Sequence, residues 1–149
     1  MTEVTENEIP TEIPEGYEPL VRTSAFLNET GPYYFRKSES GFSVALLARQ
    51  MHTNLGGTVH GGLLATLADI AMGYVASVAQ SPPLRMLTVN LSIDFLGEGQ
   101  CGDWLESHVS ISKMGSRLAF VSAVITGNGA LIARTSAVFA VVGAKAAKG

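Results

Sequence analysis

A single carboxylate lies within a long apolar stretch of the chain that begins at two consecutive glycines. Between Gly61 and Ala79 the only charged residue is Asp69. A carboxylate held among apolar side chains binds its proton more tightly, which makes it a better general base. The first N–H groups of a helix have no internal acceptor, and a glycine start leaves them open to a ligand oxygen. A base and preorganised N–H donors are two of the parts that hydrolysis of an acyl group requires.

The stretch that carries these residues has the periodicity of a buried helix. Apolar side chains recur at three- and four-residue steps from Leu63 to Gln80, and small residues fill most positions between them. Ser81-Pro82-Pro83 ends the pattern, because proline supplies no N–H and disfavours helix at the residue before it. The stretch has the length of a membrane span, but the central Asp69 and the leading glycines favour a soluble core helix.

Asp69 and Gly61 cannot meet within one such helix. They are eight residues apart in the sequence, which at the helical rise separates them by about 12 Å along the axis. An attacking group and an oxyanion donor must both lie about 3 Å from one reacting centre. If both act in one reaction, the acid most simply comes from a second subunit of a two-fold dimer with two equivalent sites.

Strand patterns flank the helix on both sides. The predicted strands are 33–39, 42–49, 89–95, 103–112, 117–126 and 131–142. Gly-containing turns join the later ones, so the last four read as a meander. A short lead-in helix is predicted within 17–28. The simplest packing lays the long helix across one face of a curled antiparallel sheet, which is an α+β fold.

Composition and charge exclude several classes of protein. The formal net charge is −3, but residues 1–18 carry six acids and no base, which leaves 10 basic and 7 acidic residues in the body of the chain. That mild positive excess suits an anionic ligand and is far from the footprint of a nucleic-acid binder. Cys101 is the single cysteine, so a reducing, cytoplasmic location without a disulfide framework is expected. Neither a signal peptide nor membrane association is expected.

The helix start resembles a known family. The motif Asn54-x2-Gly57-x2-His60-Gly61-Gly62-x6-Asp69, on this order of strands and helix, is similar to the hotdog-fold acyl-CoA thioesterases. The likeness is closest to the phenylacetate-degradation type, which is related to the 4-hydroxybenzoyl-CoA thioesterases. It implies a sheet of about five to six strands wrapped round the helix, hydrolysis of an acyl-CoA without metal or other cofactor, and a homodimer with shared sites or a dimer of dimers.

The resemblance also implies domain boundaries. The thioesterase domain would span 29–143, after a flexible acidic arm and lead-in over 1–28 and before a tail over 144–149. Residues 1–18 combine acids, threonines and prolines with little to bury.

Catalytic roles follow from the same likeness. The Gly61 N–H would donate to the thioester oxygen, and Asn54 would hold the substrate carbonyl or the attacking water. Asp69 would act as base or nucleophile, with His60 as a supporting hydrogen-bond residue. The family often has a hydroxyl residue at the start of the strand after the helix, and Thr88 is the best match.

Further residues are candidates for binding the substrate and its CoA moiety. Gly62 belongs to the helix start, while Lys113, Ser116 and Arg117 lie in a predicted hairpin. Exposed cations there would suit the phosphates of CoA. The alternative is a solvated hairpin without a binding role.

Structural readings stand beside these functional ones. Asp69 could be a structural carboxylate, Asn54 could cap its loop, and His60 is expected to be structural even in an enzyme. His52 and His108 are interpreted as strand or surface histidines, and no cluster has metal-ligand spacing.

Two other functions compete with hydrolysis. A hotdog hydratase or dehydratase would act on acyl-thioesters through a histidine and an acid in a different pattern. A non-catalytic module that binds acyl-thioesters would keep the fold without needing Asp69.

Overall fold

Seven strands and two α-helices make up the part of the chain that the structure describes. The structure is a computed structural model, and it describes residues 12–21 and 24–142. In chain order the elements are β1 (Glu18–Pro19), α1 (Ala25–Thr30), β2 (Tyr34–Ser38), β3 (Gly41–Leu47), a 3-10 helix (Gln50–His52), α2 (Gly61–Val78), β4 (Arg85–Phe95), β5 (Trp104–Met114), β6 (Leu118–Gly127) and β7 (Ala130–Val142).

The strands form one antiparallel sheet that curls round α2. Their order across the sheet is β1-β2-β3-β5-β6-β7-β4, and every neighbouring pair is antiparallel. The α+β hotdog architecture is confirmed. The sheet has seven strands rather than five to six, because the two-residue β1 adds to the β2 edge and is too short to leave a periodic pattern.

The predicted four-strand meander is wrong in one respect, since β4 pairs with β7 and not with β5. Only β5, β6 and β7 follow one another as hairpins. Residues 96–103 separate β4 from β5, and this connection is longer than a tight hairpin loop. It carries the chain from one edge of the sheet to the middle, which leaves β4 as an edge strand opposite β1.

The core lies between α2 and the concave face of the sheet. Half of α2 is buried, including Leu67, Met72 and Val75, each with 0% exposure. They pack in one cluster with side chains of the sheet such as Leu46 and Phe139. Burying a side chain of this size stabilises the fold by about 1.5–3 kcal/mol. By length and composition α2 could also cross a bilayer. In this fold α2 is the core helix, and its length and apolar composition serve to fill the core.

The lead-in differs from its prediction. Instead of a helix within 17–28, residues 18–19 form β1 and a helix of six residues begins at Ala25, capped by the Ser24 hydroxyl, which accepts from the Leu27 N–H at 3.2 Å. Tyr17 and Leu20 are only 7% and 6% exposed. The expectation that residues 1–18 have little to bury therefore does not hold for Tyr17. Residues 1–11 and the tail over 144–149 lie outside the described residues.

Candidate active site

Asp69 and Thr88 meet between α2 and β4. The Thr88 hydroxyl donates to Asp69 Oδ1 at 2.6 Å. Asp69 lies midway along α2 and is half-buried, while Thr88 is exposed on the edge strand. A bond this short to a carboxylate is a charge-assisted one that fixes the orientation of the acceptor.

A β-bulge turns Thr88 towards the helix. Simple alternation would place Thr88 on the same face as Asn90 and Ser92, away from α2. The register shifts between Thr88 and Asn90, so that Val89 is the additional residue. Thr88 is therefore paired with the inward-facing Phe139, which is the kind of re-aiming that bulges produce.

The helix start presents one open backbone donor. His60 is the N-cap of α2, and its Nδ1 accepts from the Gly62 N–H at 2.8 Å. Within the described residues the Gly61 N–H has no hydrogen-bond acceptor. His60 thus caps the helix and occupies the Gly62 donor, which leaves Gly61 as the N–H available to a ligand.

Gly61 is also required for packing. A Cβ at this position would lie 3.1 Å from Cζ of Phe95, closer than such contacts normally come. Phe95 ends β4 and is itself 55% exposed. Any substitution at Gly61 therefore tests both the N–H and this contact, and a test of the N–H needs a control for the contact.

Asn54 organises its own loop. Its Oδ1 accepts from the N–H groups of Gly56 and Thr58 at 2.9 and 3.2 Å. Its Nδ2 donates to the Thr58 hydroxyl at 2.9 Å. Both polar ends of the side chain are thus engaged within the loop, which is the structural alternative weighed for this residue. Gly57 in the same loop has φ +83, a conformation that favours glycine.

The predicted catalytic residues fall into two separate groups within one chain. Asn54 and His60 line an open cleft at the start of α2, together with Glu98. Asp69 and Thr88 line a different cleft beside the second half of the helix. The structure thus joins Asp69 to Thr88, but it does not bring either to the helix start.

Apolar side chains form the greater part of the lining of the cleft at Asp69, beside the polar Ser77, Arg85 and Thr88. Its volume is about 500 Å3, and its lining includes Leu20, Leu27, Ile70, Gly73, Tyr74, Met86 and Phe139. Sequence reasoning missed Leu20, Leu27 and Met86. Nothing local in the sequence marks the two leucines, because they precede Asp69 by some forty residues and reach it only through the tertiary fold.

The predicted CoA-binding residues lie at one end of the sheet. Ser116 and Arg117 belong to the exposed turn between β5 and β6, and Lys113 is exposed near the end of β5. Within the described residues neither cation forms an ion pair. The carbonyl of Arg117 accepts a hydrogen bond from the Val141 N–H at 2.8 Å. Val141 lies two residues further along β7 than Phe139, the strand partner of Thr88. The turn therefore lies near the Asp69 end of β4, although it does not line the cleft.

His52 is buried rather than exposed, so the interpretation as a strand or surface histidine is wrong. It is 3% exposed, its Nε2 donates to the Thr30 carbonyl at 2.7 Å, and its Nδ1 accepts from the Arg49 N–H at 2.9 Å. Burial lowers the pKa of His52, which keeps the ring neutral. His108 lies on β5, and its Nε2 is 3.3 Å from the Thr126 hydroxyl.

A third cleft, of about 320 Å3, lies on the opposite, outer face of the sheet. Its two arginines are both in ion pairs, Arg36 with Glu106 at 3.3 Å and Arg134 with Asp94 at 3.0 Å. Within residues 12–21 and 24–142, no group of three or more His, Cys, Asp or Glu could hold a metal ion.

The family of this chain follows from comparison with known proteins. The family model described as the Thioesterase superfamily matches residues 56–130, which contain both the glycine helix start and the Asp69–Thr88 pair. The chain belongs to the thioesterase superfamily. As a member of this superfamily it is a thioester hydrolase.

Two related proteins are similar in sequence to more than half of this chain. This chain is 44% identical over 128 residues to "Putative esterase PA0474" of Pseudomonas aeruginosa. The alignment covers 85% of this chain and 96% of that protein. This chain is 33% identical over 87 residues to Acyl-coenzyme A thioesterase 13 of Mus musculus. The alignment covers 57% of this chain and 61% of that protein.

Solved structures of the superfamily share the fold. A Bacillus halodurans protein solved with CoA matches with a TM-score of 0.67 and 27% identity, over 72% of each chain. A Ralstonia eutropha protein related to phenylacetic acid degradation matches with a TM-score of 0.72 and 20% identity, over 80% of this chain and 92% of that one. The latter agrees with the predicted phenylacetate-degradation type at the level of the fold.

Proposed function

We propose that this thioesterase hydrolyses an acyl-CoA to the free acid and CoA, with Asp69 as base or nucleophile. The observation that carries the proposal is the Asp69–Thr88 hydrogen bond at the wall of an apolar cleft. The cleft suits an acyl group, and the carboxylate suits attack on its thioester. The names of a relative, an acyl-coenzyme A thioesterase, and of a structural neighbour with CoA support the choice of substrate.

The proposed active site needs two chains. Gly61 and Asp69 are about 12 Å apart along α2, whereas both must approach one carbonyl group to within about 3 Å. The Gly61 N–H of one subunit would polarise the carbonyl oxygen, and the partner subunit would supply the carboxylate. The helix dipole adds positive potential at the same end.

The free edge of β4 supports a homodimer. Within the described residues β4 pairs only with β7, so its other edge presents unpaired backbone groups that can pair with another chain. Val89 on this strand is 62% exposed. A second copy joined at β4 would cover these groups and enclose the half-buried Asp69.

Thr88 orients the proposed base. Its hydroxyl occupies Asp69 Oδ1, which leaves Oδ2 to act. As a base, Oδ2 takes a proton from water while the water oxygen bonds to the acyl carbon; the carbon–sulfur bond then breaks, and the CoA thiolate takes up a proton. As a nucleophile, Oδ2 itself bonds to the acyl carbon and expels the thiolate, and water then hydrolyses the resulting anhydride. No metal or other cofactor enters either route.

CoA would be held by exposed cations at the mouth of the site. Lys113 and Arg117 lie at the same end of the sheet as Thr88, with Ser116 between them. Arg85 lines the Asp69 cleft and is exposed. Guanidinium and ammonium groups pair well with phosphate. We also retain a cytoplasmic location as a proposal, on the basis of the single free Cys101.

The proposal is tested by Asp69→Asn with a panel of acyl-CoA substrates and a dye that traps the released thiol. We expect kcat to fall by about 10²–10⁴, the usual contribution of a general base. Asp94→Asn is the matched control, since Asp94 is also a carboxylate near the β4 edge but is exposed and paired with Arg134.

The alternatives predict other outcomes. Near wild-type turnover by folded Asp69→Asn would remove Asp69 from the mechanism. Loss of enoyl absorbance without thiol release would indicate a hydratase, and binding without turnover would indicate a non-catalytic module.

A further inference from the structure

We propose that Leu20 and Leu27 of the lead-in form the specificity wall of the acyl cleft, and that Leu27 sets the length of a neutral, apolar acyl group. This inference rests on the proposed function. Leu20 and Leu27 both line the cleft that contains Asp69. Both lie outside residues 56–130, which the superfamily model covers.

The cleft selects acyl groups by their polarity. Apart from Asp69, the one charged side chain in its lining is Arg85, which is exposed. The rest of the wall is mainly apolar, with Ile70, Met86 and Phe139 facing the same space. An ionised acyl group would lose its hydration there without gaining a buried partner. The substrate class is therefore a neutral hydrocarbon acyl group.

One end of the lead-in is anchored on the outer face of the sheet. The Tyr17 hydroxyl donates to Glu106 Oε2 at 2.6 Å and lies 2.8 Å from the Ser43 hydroxyl. The Arg36 guanidinium lies 4.4 Å from the centre of the Tyr17 ring, and the Trp104 ring packs edge-on at 5.3 Å. These contacts bury Tyr17 in a cluster separate from the main core.

The other end is anchored on the helix side. The carbonyl of Thr30, the last residue of α1, accepts from the buried His52 ring, and the Gly31 carbonyl accepts from Arg49 Nη2. Leu20 belongs to the main core cluster, and Leu27 packs against it. The described lead-in residues, 17–21 and 24–30, are thus held at both ends, which fixes the position of Leu27 in the cleft wall.

Two substitutions of Leu27 test this wall in opposite directions. Leu27→Ala widens the cleft, and Leu27→Phe narrows it. The assay measures kcat/KM for straight-chain acyl-CoAs from acetyl to palmitoyl. We expect Leu27→Ala to shift the preferred acyl chain to longer members, with a relative gain of roughly fourfold for each additional methylene that becomes buried. Leu27→Phe should shift it to shorter members.

Phe26→Ala is the matched control. Phe26 is the neighbouring residue on α1, is 59% exposed, and does not line the cleft. Its removal should leave the chain-length profile unchanged. Leu27 is only partly buried, so we expect its variants to fold, and thermal melts check this. A structural role alone would change stability or overall rate, but not the ratio of rates between chain lengths.

The outcomes separate this inference from the proposed function. An active enzyme whose chain-length profile is the same in wild type, Leu27→Ala and Leu27→Phe would refute the wall and leave acyl-CoA hydrolysis intact. If Leu27→Ala proved unstable, the shift in Leu27→Phe alone would decide the matter. A wild-type protein that hydrolyses no acyl-CoA would refute the proposed function and, with it, this inference.

Discussion

The strongest prediction of the two-chain site concerns mixed dimers. One subunit carries Asp69→Asn and the other carries Gly61→Pro, which removes the open N–H at a position where proline is tolerated. Because these two groups are about 12 Å apart within one helix, a shared site combines Gly61 of one subunit with Asp69 of its partner. In the mixed dimer one site is then intact and the other carries both lesions. Each parent homodimer has one lesion in both sites.

The expected magnitudes follow directly from this geometry. Loss of one oxyanion donor costs about 10²–10³ in kcat, so the Gly61→Pro homodimer should be nearly inactive, as should Asp69→Asn. The mixed dimer should recover about half of the wild-type activity per dimer if the sites act independently. A site built within one chain would instead leave both sites damaged and the mixed dimer as inactive as its parents.

Differentially tagged subunits allow the mixed dimer to be purified and assayed by thiol release. Gly61→Ala is the control, since its Cβ makes the same close approach to Phe95 but keeps the N–H. It should retain much more activity than Gly61→Pro at similar thermal stability. Mixed dimers that remain dimeric and inactive would refute the shared site, and equal loss in both Gly61 variants would remove the N–H from the mechanism.

Two further predictions concern Thr88 and His52. Thr88→Val removes the 2.6 Å hydrogen bond to Asp69 and should lower kcat by roughly 10–100-fold, the equivalent of one hydrogen bond to a charged group. Thr88→Ser should keep most of the activity. A fully active valine variant would contradict the orienting role of Thr88. His52 is neutral in the fold because burial lowers its pKa. Its unfolded pKa is about 6.5, so the unfolded chain binds more protons and stability should fall as pH decreases below about 6.5. In thermal melts over this range His52→Gln should show a shallower pH dependence, and identical slopes would show that other groups are responsible.

The sequence predicted the elements whose signals are local. The spacing of apolar residues after Gly61 places α2 within two residues at its end, because a buried helix repeats its pattern over many turns. Alternation located β5, β6 and β7 within a few residues. The family resemblance also named Asp69 and Thr88 as candidates, and the structure brings these two together.

What could not be predicted depends on contacts between distant segments. Strand periodicity carries no information on partners, so the pairing of β4 with β7 was missed. Leu20 and Leu27 enter the Asp69 cleft only through the tertiary fold. His52 has no local pattern that marks it as buried, and its partner Thr30 comes from another element.

Under the proposed mechanism, the bulge at Val89 makes the length of β4, as well as the identity of its residues, a requirement for activity. Upstream of the bulge, Met86 and Thr88 face the helix; downstream, Leu91 and Ile93 do. Deleting Val89 would restore uninterrupted alternation. If the pairing of β4 with β7 downstream of the bulge stayed the same, Thr88 would then turn to the outer face, away from Asp69, although neither side chain had been changed. In related sequences, gaps and insertions between α2 and the middle of β4 therefore carry functional information that a comparison of aligned residue types would miss.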